Sequence, residues 1–528
     1  MSVPRSEYPR PQFVRERWLC LNGEWQFEID RADTGRERGL VERELAGRIV
    51  VPFCPESSLS GVGDTDFLNA VWYRRRVKVP ADWAGGRVLL HFQAVDYEAT
   101  VWVDGAEVGR HRGGFTPLAC ELDGAAVAGR DVTVVVRARD ARGQAKPAGK
   151  QSPRYANFGC HYTRTTGIWQ TVWMEPVPRI ALRRPRVTPD LAGRRFRLVL
   201  PLTGNSRGLR LRAVLRDERG EVARAEVSAE ADLAPQLDLP VPAERLRLWG
   251  PGEGNLYDIE LELLDAAGGV LDRARTYAGL RGVAIDGQAV RINGRAVFQR
   301  LVLDQGYWPD GLMTAPSDEA LRRDIELAME AGFNGARLHQ KVFEERFLYH
   351  ADRLGYLVWG EFGDWGLDRS DPRATYVTQW LEALERDYSH PCIVGWCPLN
   401  ETAQPIGDGP DGLDDLTRGM FLAAKALDAT RPVLDASGYS HRVAETDVYD
   451  CHDYDQDVES FRRRHAGLAE GRAFVNGADD RRGPWSAPYR GQPYFVSEFG
   501  GIWWNPREAE GQASWGYGQR PRSVEELC

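Results

Sequence analysis

The sequence predicts a multidomain protein in which two β-sandwiches precede a parallel (β/α) barrel. The chain has 528 residues, which exceeds what one hydrophobic core usually organises and favours about three domains. Its first half consists of short alternating strands cut by Gly, Pro and Asp turns, whereas apolar strands alternate with amphipathic helices after Asn293. We therefore expect two all-β domains, at residues 1–178 and 179–282, and an α/β domain at residues 283–528.

The two all-β blocks differ in length and in the sandwich that they indicate. Residues 18–176 contain segments such as Val71–Val77 and Val132–Ala138, in which apolar and polar residues alternate with the period of a strand. Residues 178–281 repeat this pattern over about 100 residues, a length typical of an immunoglobulin-like sandwich.

The last block carries seven strand candidates separated by amphipathic helices. The strand candidates are Val297–Leu303, Gly335–Leu338, Leu357–Trp359, Ile393–Trp396, Val433–Asp435, Val448–Cys451 and Tyr494–Ser497. Among the helices are Asp318–Ala331, with Ser317 as its N-cap, and Val342–Leu354, which ends at Gly355. Because no Gly-rich phosphate loop follows any strand, a TIM-type barrel is preferred over an open doubly wound sheet.

Composition excludes several partners. The net charge of −9 comes from interspersed acids and bases without a Lys/Arg-dense block, so we expect no nucleic-acid partner. No stretch approaches the roughly 20 apolar residues that span a bilayer, and the first residues lack the apolar core of a signal peptide. We expect no membrane association and a cytoplasmic location, where the eight scattered cysteines remain reduced thiols.

Polar residues that directly follow apolar strands are the candidates for chemistry, because barrels carry their active sites at the carboxyl ends of the strands. Glu401 and Glu498 both lie at such ends, three strand steps apart. A glycosidic bond is cleaved with retention by one carboxylic acid that protonates the leaving oxygen and one carboxylate that attacks the anomeric carbon. The two glutamates therefore indicate a retaining glycosidase.

The chain resembles glycoside hydrolase family 2 over nearly its whole length. The resemblance rests on Thr163–Trp173 at the end of the first block, Gly332–Arg337, His390–Pro391 with Asn400–Glu401, and Ser497–Gly501. It implies a jelly-roll sugar-binding-like domain, an immunoglobulin-like sandwich and a (β/α)₈ barrel, in this order.

The resemblance also implies roles for individual residues. Glu401 is expected to be the general acid/base and Glu498 the nucleophile, and Asn400 is expected to contact the sugar 2-hydroxyl. Tyr454 matches the tyrosine that lies beside the nucleophile in the galactosidase branch.

Three further residues are expected as sugar contacts. His339 and Asp304 follow barrel strands, and Trp504 belongs to a group of tryptophans in or after the barrel strands whose indole faces can stack on a sugar ring. The magnesium ligands of the galactosidase branch are not reproduced in Glu361–Gly366. We therefore expect no metal and no cofactor.

The barrel is expected to be truncated after its seventh strand, because only thirty residues follow Glu498. Unpaired strand edges at the seam predict poor packing of Trp515–Cys528, or self-association into a homo-oligomer that covers the gap. The expected activity is that of an exo-β-galactosidase. A β-glucuronidase or another β-glycosidase of the family is the alternative, since family members recognise glucuronate by an Asn-x-Lys element in the region beyond this chain. A non-catalytic carbohydrate-binding protein is the alternative from another class, if truncation abolishes hydrolysis.

Overall fold

The first sandwich is built from two antiparallel sheets. The computed structural model describes residues 3–366, 375–505 and 514–527. The strands of this domain are β1 (Leu19–Cys20), β2 (Gly23–Ile29), β3 (Gly47–Val51), β4 (Ala70–Lys78), β5 (Arg87–Phe92), β6 (Val95–Asp96), β7 (Glu98–Val103), β8 (Ala106–Arg112), β9 (Leu118–Asp123), β10 (Asp131–Arg139), β11 (Gly167–Ile168) and β12 (Val172–Val177), with a short helix α1 (Gly124–Val127) after β9. The sheets have the orders β3-β2-β4-β10-β7-β8 and β1-β12-β5-β9. Strand β9 alternates buried and exposed residues, as the period-two pattern predicts.

The second sandwich has sheets of three and four strands, with the orders β13-β14-β17 and β16-β15-β18-β19. Its strands are β13 (Arg186–Asp190), β14 (Arg195–Val199), β15 (Arg210–Asp217), β16 (Gly220–Ser228), β17 (Gln236–Pro240), β18 (Tyr257–Leu264) and β19 (Val270–Ala278). Seven strands in this arrangement agree with an immunoglobulin-like sandwich. Its core contains Phe196, Leu211, Ile259 and Leu261 from the facing sheets.

The first residues of the chain contact both sandwiches. Tyr8 packs against Trp173 of β12 with ring centroids 5.3 Å apart, whereas the residues that follow it reach the second sandwich. The expected domain boundaries stay predictions. Phe13 lies in the core of the second sandwich, Val14 forms an antiparallel bridge with Arg275, and Arg15 forms an ion pair of 2.9 Å with Asp272. These contacts join distant parts of the chain, so local patterning carries no signal for them.

The last block contains parallel strands separated by helices. A small antiparallel sheet comes first, made of β20 (Val283–Asp286), β21 (Ala289–Ile292) and β22 (Arg295–Ala296). The parallel strands are β23 (Leu301–Asp304), β24 (Gly335–Leu338), β25 (Leu357–Glu361), β26 (Ile393–Cys397), β27 (Tyr449–His452) and β28 (Tyr494–Glu498). The helices are α2 (Asp318–Glu330), α3 (Glu345–Leu354), α4 (Thr375–Asp387), α5 (Gly412–Leu427), α6 (Val458–His465) and α7 (Val524–Leu527).

The parallel strands pair as β23-β24-β25-β26 and as β27-β28. Side chains of the two groups meet, since Trp359 of β25 and Phe495 of β28 pack edge to face with ring centroids 5.3 Å apart. In the described part of the chain, the outer edges of β23 and β28 carry no partner strand. No described helix is long and apolar enough to cross a membrane.

The predicted strand Val433–Asp435 is wrong in the structure. Only isolated bridges form there, between Trp396 and Val433 and between Asn400 and Ser437. The reason is that side chains capture the backbone donors: Val433 N–H donates to the Asp447 carboxylate at 2.9 Å. The segment nevertheless links β26 to β27 and supports the residues around Asn400.

Two other predictions about local structure have different outcomes. Helix α3 begins at Glu345 and not at Val342, because the preceding residues Val342 and Phe343 are buried in the core as a loop. The described residues of Trp515–Cys528 are all half-buried or exposed, as expected for poor packing, although the Tyr517 ring stacks on Tyr454 with centroids 3.6 Å apart. Cys528 lies outside the described residues.

Candidate active site

Glu498 ends strand β28, and its carboxylate is almost completely buried, with 7% of the residue exposed. The Tyr454 hydroxyl donates to Oε2 at 2.5 Å, and Arg337 Nη2 donates to Oε1. Burial raises the pKa of Glu498, but the charges of His452 and Arg337 outweigh this effect and hold the pKa at about 2. The carboxylate is therefore ionised at neutral pH, as a nucleophile requires.

Arg337 holds two carboxylates with one guanidinium. It lies in strand β24, donates through Nη1 to Glu361 at the end of β25 and through Nη2 to Glu498. Burial disfavours the charge of Arg337, but the two carboxylates raise its pKa above the ordinary value. The Gln340 N–H also donates to Glu361 Oε1 at 2.9 Å. Arg337 thereby fixes the orientation of Glu498 from across the parallel strands.

Glu401 lies four residues beyond strand β26, in the left-handed backbone region with a φ of 55°. Its N–H donates to Ser437 O at 2.9 Å, so the bridge between Asn400 and Ser437 fixes the backbone at this position. The Glu401 side chain is 20% exposed, and its Oε1 lies 3.1 Å from His452 Nδ1. Glu401 is thus the more accessible of the two carboxylates.

The two glutamates face each other across a short gap. One oxygen of Glu401, one oxygen of Glu498 and one nitrogen of His452 all lie within 4.8 Å of one another. Retaining glycosidases place their two carboxyl groups about 5–5.5 Å apart, whereas inverting enzymes need about 6.5–9.5 Å to admit a water molecule. An approach of at most 4.8 Å between one oxygen of each carboxylate is compatible with the retaining geometry.

Two buried side chains beside these carboxylates lack hydrogen-bond partners within the described residues. Asn400 is 1% exposed, and neither its Nδ2 nor its Oδ1 is hydrogen-bonded. His339 is equally buried; its Nδ1 lies 3.1 Å from Glu361 Oε1 and 3.8 Å from Glu498 Oε1, neither contact has the geometry of a hydrogen bond, and Nε2 has no hydrogen-bond partner. Burial lowers the pKa of His339 well below its ordinary value, so the ring is neutral. Unsatisfied buried polar atoms are costly, and a cluster of them in a cleft indicates a place for a polar ligand.

Of the remaining expected residues, Tyr454 lies at the site, whereas Asp304 does not contact the glutamates. Tyr454 contacts Glu498 directly, as described above. Asp304 does not join the glutamates: its Oδ1 accepts from Gly306 N at 2.9 Å, and burial together with the charge of Asp324 on helix α2 raises its pKa to about 7. Trp504 is half-buried in the segment after β28, and the ring that stacks on Tyr454 is Tyr517.

Sequence reasoning missed Arg337 and Tyr517 as parts of this site, and it gave no role to His452 and Glu361. Arg337 has a signal, since a charged residue interrupts the otherwise apolar strand Gly335–Leu338. His452 and Glu361 follow apolar strands and carry the same signal as the expected residues. Tyr517 comes from an irregular segment that returns to the site, so no periodicity marks it.

Two groups of donors in the described residues have the proximity of metal ligands: Asp352, His390 and Cys392, and Glu401, His452 and Glu498. In the first group Asp352 Oδ2 contacts His390 Nδ1 at 2.6 Å, and burial raises the pKa of the Cys392 thiol well above its ordinary value. In the second group Glu498 is already bound by Arg337 and Tyr454. The absence of a required metal stays a prediction.

Comparisons with known proteins agree with this fold. Residues 63–145 match the sugar binding domain of glycosyl hydrolases family 2, and residues 180–281 match a second domain of the same family. The β-glucuronidase of Paenibacillus borealis is 26% identical over 459 residues, which cover 81% of this chain and 74% of that protein. The β-galactosidase of Thermoanaerobacter pseudethanolicus is 24% identical over 395 residues, covering 70% of this chain and 49% of that protein.

Solved structures share the architecture. The β-glucuronidase of Ruminococcus gnavus without ligand superposes with a TM-score of 0.76 at 20% identity, over 98% of this chain and 88% of that one. The fold and the family matches together define a glycoside hydrolase. The chain belongs to glycoside hydrolase family 2 and is a β-glycosidase of that family.

Proposed function

We propose that the chain is a retaining exo-β-glycosidase in which Glu498 is the nucleophile and Glu401 is the general acid/base. The observation that carries the proposal is the pair of strand-end carboxylates with oxygens within 4.8 Å of each other. Their environments differ in the way that the two roles require. Glu498 is buried and held ionised by Arg337 and Tyr454, whereas Glu401 is partly accessible to a leaving group and to water.

The reaction proceeds in two displacements. In the first, the Glu498 carboxylate attacks the anomeric carbon while Glu401 protonates the departing glycosidic oxygen, which leaves a covalent glycosyl-enzyme and an ionised Glu401. In the second, Glu401 removes a proton from water, the water oxygen bonds to the anomeric carbon, and Glu498 is released. The product keeps the β configuration.

The surrounding residues supply orientation and charge. Arg337 and Tyr454 hold the ionised Glu498 carboxylate in one position until it bonds to the anomeric carbon and loses its negative charge. The unsatisfied amide of Asn400 and the unsatisfied ring of His339 bind sugar hydroxyls, and Asn400, adjacent to Glu401, contacts the 2-hydroxyl. Asp304 is left out of this assignment because its contacts lie on the side of helix α2.

We further propose a β-glucuronide as substrate and keep a β-galactoside as the alternative. Relatives named β-glucuronidase and solved structures named β-glucuronidase support the first choice, and the relatives named β-galactosidase support the second. A panel of nitrophenyl β-glycosides tests the proposal. We expect turnover with the β-glucuronide and formation of the β-anomer first, as seen by proton NMR. Initial release of the α-anomer would contradict the retaining mechanism, and preference for the β-galactoside would select the alternative glycone.

A further inference from the structure

Lys150 is a buried lysine of the first sandwich that lies beside the barrel. It belongs to the connection between β10 and β11, which runs along the segment that follows β25: Ala148 N donates to Trp365 O at 2.8 Å and Gly149 N to Gly363 O at 3.1 Å. Gly149 has a φ of 61°, and a Cβ there would lie 2.1 Å from Gln340 O. This close approach brings Lys150 to the ends of the parallel strands.

The ammonium group of Lys150 has no anionic partner among the described residues. The residue is 5% exposed, and within the described residues its Nζ forms no ion pair or hydrogen bond and lies 5.1 Å from the centroid of the Trp365 ring. Two other lysines of the described residues have partners: the half-buried Lys146 pairs with Asp140, and the buried Lys341 donates to Met313 O at 2.7 Å. Because a largely buried charge without an ion-pair partner is costly, Lys150 is suited to bind an anion that enters the cleft.

The position of Lys150 places that partner in the catalytic cleft. The Trp365 ring lies 6.3 Å from the His339 ring, and His339 Nδ1 lies 3.8 Å from the nucleophile Glu498. After burial, the charge of Lys150 is the next largest cause of the lowered pKa of His339. The charge of Lys150 opposes the rise in the pKa of Glu361 that burial causes, but Glu361 and Glu498 form their ion pairs with Arg337.

We propose that Lys150 binds a carboxylate carried by the glycone, which makes it a determinant of specificity for β-uronides. The inference rests on the proposed function and deepens it. The glycone is favoured over the leaving group as the carrier of the charge, because His339 and Trp365 adjoin the nucleophile, whereas the leaving group departs toward Glu401. The Trp365 ring holds the ammonium in place by a cation–π contact until the substrate arrives.

A different role for Lys150 makes a different prediction. If Lys150 only offsets the negative charge of the catalytic carboxylates, its loss harms every glycoside to the same extent. If it binds the glycone carboxylate, its loss harms a glucuronide and spares a glucoside. These two substrates differ only at C6, which carries a carboxylate in one and a hydroxymethyl group in the other.

The experiment compares kcat/KM for nitrophenyl β-glucuronide and nitrophenyl β-glucoside in the wild type, Lys150→Met and Lys150→Arg. Methionine keeps the length and apolar stem of the side chain, and arginine keeps the charge. We expect Lys150→Met to lose on the order of 100-fold with the glucuronide and less than about 3-fold with the glucoside. Lys150→Arg should retain on the order of a tenth of the glucuronide activity. Lys425→Met, in which a lysine paired with Asp447 is replaced, is the matched control and should change neither.

Equal losses with both substrates would overturn the inference, and so would a wild type that prefers the glucoside. Binding separates this failure from failure of the proposed function. By calorimetry, the wild type should bind D-glucaro-1,5-lactone more tightly than D-glucono-1,5-lactone, and Lys150→Met should lose that difference even if no glycoside is turned over. Equal binding of both lactones by the wild type would count against Lys150 as a carboxylate site.

Discussion

His452 Nδ1 lies 3.1 Å from Glu401 Oε1, and the other ring nitrogen lies 3.4 Å from Glu498 Oε1. One imidazole therefore contacts both proposed catalytic carboxylates. Neighbouring residues hold His452 in place. Ser437 Oγ lies 3.1 Å from Nε2, and the Asn476 side chain accepts from the backbone N–H of His452 and donates to its backbone oxygen. This arrangement ties the position of the acid/base to that of the nucleophile.

Replacement of His452 by phenylalanine should reduce kcat/KM by roughly 10- to 100-fold, since both carboxylates lose a hydrogen-bonding neighbour. His452→Gln keeps a side-chain donor and acceptor and should recover part of the loss. Steady-state kinetics on one activated glycoside, with thermal unfolding as the folding control, checks this. Equal kcat/KM in the wild type and a folded His452→Phe variant would show that the contacts of His452 with the two carboxylates do not contribute to catalysis.

Tyr454→Phe should move the acidic limb of the kcat/KM profile to higher pH. Glu498 acts as an ionised group, so activity falls as the pH falls through its pKa. The Tyr454 hydroxyl is one of the causes that hold this pKa at about 2, and its removal raises the pKa. We expect a displacement of about one pH unit and a loss of roughly 10-fold or more near neutral pH. An unchanged acidic limb would contradict the assigned contact.

Asp304→Asn should leave catalysis nearly intact, within about 3-fold, because the Asp304 side chain bonds to Gly306 N and contacts neither glutamate within the described residues. It should also change stability in a pH-dependent way. Burial raises the pKa of Asp304 to about 7, so the folded state binds this proton more tightly than the unfolded state. The stability contributed by the neutral acid is fully present below about pH 4 and is lost as the pH rises toward 7.

The free energy of unfolding of Asp304→Asn should therefore exceed that of the wild type increasingly from pH 4 to 7, by an amount on the order of 2–4 kcal/mol above pH 7. Urea unfolding at several pH values measures the difference. A severe loss of activity in a folded Asp304→Asn variant would restore Asp304 as a site residue.

Local signals in the sequence predicted the helices well where caps and burial agree. Ser317 is the N-cap of α2 and accepts from Ala320 N at 3.1 Å, and Leu321 and Ile325 are buried as the helical spacing predicts. Gly355 ends α3 in the left-handed conformation with a φ of 67°. These features depend on neighbours within one or two turns, so the sequence alone contains them.

Features that depend on distant contacts were not predictable in the same way. The strand expected at Val433 is replaced by a side-chain contact from Asp447, and the segment around Phe13 packs in the second sandwich. In the site, Glu401 and Glu498 could be predicted because each comes at or soon after the end of an apolar strand. The position of Lys150 beside the barrel could not be predicted, because it depends on how the first sandwich packs against the barrel.

The measurement that tests the assigned roles most directly is the product formed from azide by two variants, Glu498→Ala and Glu401→Ala, with a dinitrophenyl β-glycoside. Without the nucleophile, azide occupies the vacated side and attacks the anomeric carbon with inversion, so Glu498→Ala should release the α-glycosyl azide. Without the acid/base, the glycosyl-enzyme still forms from an activated substrate, and azide should then release the β-glycosyl azide from Glu401→Ala. Exchange of the two products between the variants, or no rescue in either, would contradict the account.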